Sequence, residues 1–156
     1  MSKAVSRFEE AVRASGLSFE VLRFPQGTRT AADAARAVGC DVGQIVKSLV
    51  FVADGAPFLA LTSGRNRADP ARLAALLGAR SVRQANADEV RAATGFAIGG
   101  TPPFGHPRPL TVLVDCDLLA YAEVWAAAGT PDAVFALSPD DLLRASGGRV
   151  EDFAAR

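Results

Sequence analysis

The sequence has few of the side chains that hold metals or act as nucleophiles. Its 156 residues include one histidine and two cysteines, and Cys40 and Cys116 lie far apart without a CxxC motif. Zinc sites and redox pairs use closely spaced cysteines or histidines, so the sequence favours two buried, reduced thiols over either kind of site. No cluster of carboxylates suggests another metal site. We therefore expect no metal and no cofactor.

Short motifs of the large enzyme families are missing as well. The chain contains no GxGxxG, GxxxxGKS/T, HExxH or GxSxG pattern. These patterns mark dinucleotide sites, nucleoside triphosphate sites, zinc peptidases and serine hydrolases of the α/β type. The sequence thus argues against those four classes of enzyme.

The chain lacks an excess of either charge and any long apolar run. Its 17 basic residues balance 17 acidic ones. This balance argues against a protein that holds long double-stranded nucleic acid by its overall field, although a local basic rim can still contact a few phosphates. No apolar run approaches the ~18–20 residues that cross a bilayer, and residues 1–16 lack the apolar core of a signal peptide. We expect a cytoplasmic protein with no membrane partner.

The composition and the capping residues predict one α+β domain over residues 1–156. The chain is 49% hydrophobic and 22% charged, as in an ordinary globular protein. Capping residues and helical spacing predict helices over 3–14, 30–38, 70–77, 87–94 and 139–145. Apolar or alternating runs predict strands over 19–24, 49–53, 58–61, 110–115, 122–128 and 133–137, with Pro25-Gln26-Gly27 breaking the first. This irregular order favours a mixed, mostly antiparallel central sheet surrounded by short helices.

The first functional candidate is a lysine in segment 44–64. Two apolar runs there flank an Asp54-Gly55 pair, which is typical of a hairpin turn, and Lys47 lies at the entrance to the first strand. Of the 17 basic residues, only Lys3 and Lys47 are lysines. The choice suggests a site that needs a compact ammonium on a flexible stem. The alternative is a lysine that extends its ammonium into solvent at a strand end, and this segment alone slightly favours it.

The second candidate is a loop rich in glycine and proline. Residues 96–109 contain three glycines and four prolines. Consecutive glycines can turn backbone N–H groups towards one point, so Gly99 and Gly100 can bind a carbonyl or phosphate oxygen. A tight connection between two elements is the alternative, and it is favoured for an isolated loop. His106 is a candidate base, but a lone histidine before a proline is more often a surface residue.

Polar residues that follow two of the predicted strands are further candidates. Ser63 and Arg65 belong to an SGRNR loop after the second central strand, where the guanidiniums either contact phosphates or solvate the loop. Asp115 and Asp117 follow the strand at 110–115. They either act in a site or cap the next turn, and capping is favoured.

Five segments occur in an order that resembles a known family. They are QIVKSLVF, TGFAIGGTPPFGH, VLVDCDLL, EVWAAAG and LSPDDLL. In this order they resemble the YbaK-type aminoacyl-tRNA editing domains, which include free-standing deacylases and the editing insertion of bacterial prolyl-tRNA synthetases. The resemblance covers residues 19–143, and its most specific part is a V/I-K-S/T segment combined with a G-x-x-x-P loop.

The resemblance implies a compact mixed sheet with surrounding helices and a pocket for the aminoacyl-adenosine end of a tRNA. The essential lysine of the family falls on Lys47, and the G-x-x-x-P loop runs from Gly99 to Pro103. The implied activity is trans-acting hydrolysis of the ester of a mischarged tRNA, with tRNA-Pro a candidate, water as the nucleophile and no metal. The implied partners are the tRNA acceptor end and a tRNA synthetase. The resulting candidates are Lys47, Gly99 and Gly100 for catalysis, and Ser63, Arg65, Pro103, His106 and Asp115 for substrate binding.

The chain departs from the family in the later strand region. The prolyl-synthetase insertions and the alanine-type relatives have a histidine there, whereas residues 130–137 contain none. We expect an apolar pocket wall from residues 126–128, Val134 and Phe135, and the amino acid to be removed stays open. Two other functions stay open too. One is a module of the same fold that binds an aminoacyl or nucleotide end without turnover, and the other is an accessory protein of a synthetase.

Overall fold

The computed structural model describes residues 3–24 and 30–156, so the break predicted at Pro25-Gln26-Gly27 lies outside the described residues. The elements in chain order are α1 (Lys3–Ala14), β1 (Val21–Arg23), α2 (Ala31–Val38), β2 (Ile45–Ala53), β3 (Ala56–Ser63), α3 (Pro70–Leu77), β4 (Val82–Gln84), α4 (Ala87–Thr94), β5 (Val112–Asp115), β6 (Val124–Ala127), β7 (Ala133–Leu137), α5 (Pro139–Ser146) and β8 (Arg149–Glu151). Short 3₁₀ turns at Val42–Gln44 and Cys116–Ala120 precede β2 and follow β5.

The strands in the described part of the chain form one mixed sheet. Their order is β1-β7-β6-β2-β3-β5-β8, and β4 pairs with β2 beside this path. The β1–β7, β6–β7, β2–β3 and β2–β4 pairs are antiparallel, whereas β2–β6, β3–β5 and β5–β8 are parallel. The predicted mixed, mostly antiparallel sheet with short helices is confirmed.

The central hairpin forms where the sequence predicts it. Strands β2 and β3 pair from Val46 with Ser63 to Ala53 with Ala56. Asp54 and Gly55 have φ angles of 48° and 87°, the positive values that a tight two-residue hairpin turn requires. One detail of the prediction is wrong. Strand β2 begins at Ile45, so Lys47 is its third residue rather than a residue at its entrance.

Local capping chemistry sets the helix starts. Side chains at the four N-cap positions each accept a hydrogen bond from a backbone N–H in the first turn, which confirms the predicted starts of α2, α3, α4 and α5. These residues are Thr30, Asp69, Asn86 and Ser138. The first helix, α1, also has the predicted bounds.

Tertiary pairing decided the elements that the sequence did not reveal. Strands β4 and β8 have three residues each and were not predicted, because their existence depends on distant partners. The predicted strands at 19–24 and 110–115 shorten to β1 and β5. Cys40 and Cys116 are unpaired thiols, but both are partly exposed, so the prediction of buried thiols is wrong.

Helices cover both faces of the sheet. On one face, Phe8 of α1 packs against Phe135 of β7, with ring centroids 4.8 Å apart. On the other face, Leu73 of α3 belongs to a cluster with Phe51 and Phe153, all buried. The ends of β2 are mostly buried between these layers, whereas its middle, from Lys47 to Leu49, is only partly buried. None of the described helices is long and apolar enough to span a bilayer.

Candidate functional site

A pocket opens at the edge of β2 where this strand changes partner. Strand β6 pairs in parallel with Ile45 and Val46, and β4 pairs antiparallel with the segment that starts at Phe51. Between the two, the described chain places no strand against this edge of β2. The cavity there has a volume of about 300 Å³.

The lining of the pocket is mostly apolar. It comes from α2, β2, β4, α4, β6, β7 and adjoining loops, among them the loop after α4, and it includes the single tryptophan of the chain, Trp125. Lys47 is the only charged side chain among the described lining residues. Of the expected apolar wall, Ala126, Ala127 and Val134 line the pocket, whereas Phe135 lies in the core. Such a cavity suits a small acyl group next to a polar end.

Lys47 is a half-buried lining residue with a defined hydrogen bond. Its Nζ donates to the carbonyl oxygen of Asn66 at 2.6 Å. Burial lowers the pKa of the Lys47 ammonium, while the negative charge of Asp115 acts in the opposite direction and Arg67 lowers the pKa further. The side chain is thus a positioned cation rather than a solvated one at a strand end.

A buried carboxylate positions the acceptor of this lysine. Asp115 is fully buried and accepts hydrogen bonds from the backbone N–H of Ser63 at 3.0 Å and from the Asn66 side-chain amide at 2.9 Å. The same amide donates to Asp117 at 2.7 Å. Asn66 is therefore held at both carboxylates, and its carbonyl faces Lys47. Sequence reasoning missed Asn66, because its role depends on two carboxylates that are about fifty positions away.

Ser63 and Asp115, which were predicted to bind substrate, make hydrogen bonds within the fold instead. Neither residue lines the pocket. The Ser63 hydroxyl donates to the Gly43 carbonyl at 2.8 Å, and Asp115 accepts from the backbone N–H of Asp117 at 3.0 Å as the N-cap of the following turn. The favoured prediction of a capping role for Asp115 is confirmed. Its contact with Asn66 adds a second role, which acts on Lys47 through that residue.

The acidic turn at the end of β5 groups three side chains of types that can bind a metal. Ligand atoms of Asp115, Cys116 and Asp117 lie within 4.8 Å of one another. Amide groups already donate to both carboxylates, so the chain itself supplies partners for these negative groups. We assign this turn to the support of Lys47.

Gly99 lies at the exposed rim of the same pocket. Its φ is +85°, and a Cβ at this position would approach only the Pro131 Cγ, at 3.7 Å. In the described part of the chain, no acceptor takes a hydrogen bond from the Gly99 N–H. A glycine is favoured here by the backbone conformation, which an L side chain rarely adopts. The structure thus brings Lys47 and Gly99 to one pocket.

Gly100 is packed into the structure and does not line the pocket. Its N–H donates to the Ala97 carbonyl at 3.0 Å, and its carbonyl accepts from the Gly129 N–H at 3.0 Å. A Cβ on Gly100 would lie 2.7 Å from the Thr130 Cα. The amide of this second glycine is therefore already bonded, whereas no described acceptor takes the N–H of Gly99.

Pro103 and His106 support the loop from behind. Pro103 is buried, and neither residue lines the pocket. His106 Nε2 donates to the Pro102 carbonyl oxygen at 2.8 Å, and its ring meets the edge of Phe96 at 6.3 Å between centroids. Burial lowers the pKa of His106. In this position the imidazole fixes the loop and does not face the pocket.

The two arginines of the SGRNR loop differ in their partners. Arg65 is exposed, and its Nη2 donates to both carboxylate oxygens of Asp41, at 2.7 and 2.8 Å. The exposed Arg67 follows Asn66 directly, and no described acceptor pairs with its guanidinium. The backbone of Arg67 is held, because its carbonyl accepts from Ala155 at 2.7 Å. Among the described residues, Arg67 is thus an available cation close enough to act on Lys47.

Comparisons with known proteins identify the family. The crystal structure of a candidate trans-editing enzyme for prolyl tRNA synthetase matches with a TM-score of 0.95 and 48% identity, covering 100% of this chain and 99% of that one. The proline–tRNA ligase of Nitratidesulfovibrio vulgaris is 35% identical over 92 residues, which are 59% of this chain and 16% of the ligase. A candidate Cys-tRNA(Pro)/Cys-tRNA(Cys) deacylase of Enterococcus faecalis is 24% identical over 128 residues, covering 81% of this chain and 78% of that protein. This chain spans about a sixth of the ligase, 16% of its length.

A family model gives the most direct assignment. The model described as the aminoacyl-tRNA editing domain matches residues 25–145, a segment that contains both Lys47 and Gly99. This protein therefore belongs to the aminoacyl-tRNA editing domain family.

Proposed function

We propose that this protein acts in trans to hydrolyse the ester of a mischarged tRNA, with tRNA-Pro as the first candidate. The proposal rests on one observation. Lys47 and Gly99, which are far apart in the sequence, line the same pocket. Their side chain and backbone supply a cation and an N–H donor at a cavity of about 300 Å³. The deacylase and trans-editing relatives support this reaction and the choice of tRNA.

Lys47 is proposed to hold the acceptor end of the tRNA. A compact ammonium can exchange its bond to the Asn66 carbonyl for a phosphate or ribose oxygen without moving the backbone. Its partial burial strengthens such an interaction, because the surrounding apolar groups screen the charge less than water does. The guanidinium of Arg67, which has no partner among the described residues, lies near Lys47 and adds a second phosphate contact.

Gly99 is proposed to stabilise the charge that develops on the ester carbonyl. The oxygen of water bonds to the carbonyl carbon and forms a tetrahedral intermediate, whose oxyanion accepts from the Gly99 N–H. The bond to the ribose oxygen then breaks, the ribose oxygen takes a proton from the attacking water, and the free amino acid leaves. The described lining contains no cysteine and no histidine, which favours water over a covalent nucleophile.

The proposal is tested by incubating the protein with tRNA-Pro transcripts charged with different amino acids. Release of an amino acid, in the absence and presence of a prolyl-tRNA synthetase, is followed against spontaneous hydrolysis. We expect release without the synthetase and loss of release in Lys47→Ala. Lys3→Ala is the matched control, because Lys3 is the only other lysine and lies in α1.

Two outcomes would favour the other functions. Tight binding of an aminoacylated tRNA without release would indicate a binding module. Release only when a synthetase is present would indicate an accessory protein. Because charged tRNA is used in translation, the proposed activity also implies a cytoplasmic location.

A further inference from the structure

The backbone of Ser48 faces the gap in the sheet. Backbone groups point alternately to the two sides along a strand. The Ile45 carbonyl accepts from Gly64 on the β3 side, and the Val50 carbonyl accepts from Ala85 on the β4 side. Ser48, two residues before Val50, therefore directs its N–H and C=O away from β3. Neither the ladder with β6 nor the ladder with β4 includes Ser48.

The Ser48 hydroxyl is a third polar group of this residue that has no described partner. Its Oγ is buried and has no hydrogen-bond partner among the described residues. Ser48 also lines the pocket. Buried polar atoms in folded proteins are nearly always hydrogen-bonded, so an unpaired hydroxyl on a residue that lines a pocket points to a ligand that completes it when the side chain turns towards the cavity.

An aminoacyl ester carries the complementary groups. Its α-ammonium donates hydrogen bonds, and its carbonyl oxygen accepts one. Ser48 offers a carbonyl, a hydroxyl and an N–H within one residue. No carboxylate belongs to the described lining of the pocket, so an α-ammonium bound there needs neutral oxygen acceptors. An open strand edge provides these acceptors in the same way as it binds an added strand.

Building on the proposed function, we propose that Ser48 binds the α-ammonium of the aminoacyl group through its carbonyl and hydroxyl oxygens. The amino acid then docks as a one-residue extension of the edge of β2. Lys47 and Ser48, which are neighbours in the strand, thereby divide the substrate between them. Lys47 holds the tRNA end, and Ser48 recognises that the acyl group comes from an α-amino acid.

A binding experiment tests this role without requiring turnover. The probes are 3′-alanylamino-3′-deoxyadenosine and its lactyl counterpart, two stable amides that differ only in an ammonium or a hydroxyl at the α-carbon. Trp125, the single tryptophan, lines the pocket and reports binding by its fluorescence. We expect the alanyl compound to bind about 10- to 100-fold more tightly, as a charge-assisted hydrogen bond provides. Equal dissociation constants would overturn the role of Ser48 even if the protein hydrolyses charged tRNA.

Variants of Ser48 separate its hydroxyl from a general effect on the fold. Ser48→Ala should reduce the preference for the alanyl compound several-fold, whereas Ser48→Thr keeps a hydroxyl and should keep the preference. Ser81→Ala is the control, because Ser81 is exposed and lies outside the lining. A well-folded Ser48→Ala protein with the full wild-type preference would also overturn the assignment.

A turnover experiment tests the proposed function and this inference separately. The substrates are tRNA-Pro transcripts charged with alanine, serine or valine, or with lactate, glycerate or 2-hydroxyisovalerate. Each rate is divided by the spontaneous rate of the same ester, because an α-ammonium itself activates the ester. If the corrected rates are higher for the amino acids than for the matching hydroxy acids, the inference is supported. Equal corrected rates for the two kinds of acid contradict it. No release from any transcript contradicts the proposed hydrolysis, and the binding constants then decide the role of Ser48.

Discussion

Asp115→Asn should disturb the site through the position and charge of Lys47. The carboxylate accepts three hydrogen bonds, from the N–H of Ser63 and the amide of Asn66 at Oδ2, and from the N–H of Asp117 at Oδ1. An asparagine that keeps its oxygen at the Oδ2 position loses the third bond and places its NH₂ against the N–H of Asp117. With the amide turned the other way, its NH₂ would stand at the Oδ2 position and two hydrogen bonds would be lost. We therefore expect the orientation that keeps the oxygen at Oδ2.

The stability cost follows from this count. One hydrogen bond to a charged group contributes about 1.5–3 kcal/mol, and the two remaining bonds weaken with the charge. At about 2–4 °C for each kcal/mol in a domain of this size, the melting temperature should fall by roughly 3–12 °C. The variant should therefore stay folded at 25 °C, where its activity can be measured.

The pH dependence of Lys47 gives a second and more specific readout. Burial lowers the pKa of Lys47, and Asp115 opposes that effect. Without the negative charge the pKa falls further, so the ammonium is lost at a lower pH. If the charged form binds the tRNA end, the decline of kcat/KM on the alkaline side should shift to lower pH in Asp115→Asn.

Labelling of the lysine side chains measures this shift directly. The chain has two lysines, so Lys3→Arg leaves one side-chain resonance, which belongs to Lys47. The titration of this resonance is compared between proteins with and without the Asp115→Asn substitution. Single-turnover rates, corrected for spontaneous ester hydrolysis, are measured for the same proteins. If neither the pKa of Lys47 nor the pH at which kcat/KM declines on the alkaline side changes, the supporting role that we assign to Asp115 is refuted.

Three further predictions concern the residues of the rim and the cysteines. Lys47→Arg should lower single-turnover deacylation about as strongly as Lys47→Ala, because a planar guanidinium does not replace a compact ammonium; wild-type rates in either variant would contradict its role. Gly99→Ala should lower the rate about 10²–10³-fold at a stability cost of about 1–2 kcal/mol. Gly100→Ala should mainly lower the melting temperature, because its Cβ would lie 2.7 Å from a backbone atom. The double variant Cys40→Ser, Cys116→Ser should keep its activity, and a well-folded but inactive protein would point to a covalent mechanism.

Features that depend on neighbouring residues could be read from the sequence. The Asp54-Gly55 turn, the N-cap side chains and the glycines after the helices each act within a few positions of the chain. The family resemblance likewise identified Lys47 and Gly99, because their motifs are short and contiguous. For the same reason, the sequence determined the α+β class and the order of most elements.

The tertiary structure decided what these residues face. Gly100 has the same residue type as Gly99, yet its amide is bonded to Ala97 while that of Gly99 lies at the pocket rim. Asn66 and Asp115 become supports of Lys47 only when β3 and β5 pair. These contacts join positions far apart in the chain, and no local propensity encodes them.

The pocket itself has the same origin. It exists because β6 and β4 pair with different ends of β2 and leave its middle open. Strand β4 is only three residues long, and no local pattern marks it as a strand. The sequence by itself thus determined the fold class, the family and the two motif residues Lys47 and Gly99. The open strand edge, the orientation of Ser48 and the network behind Lys47 were decided by pairing between strands distant in sequence, since a strand edge is open or closed only relative to its neighbours.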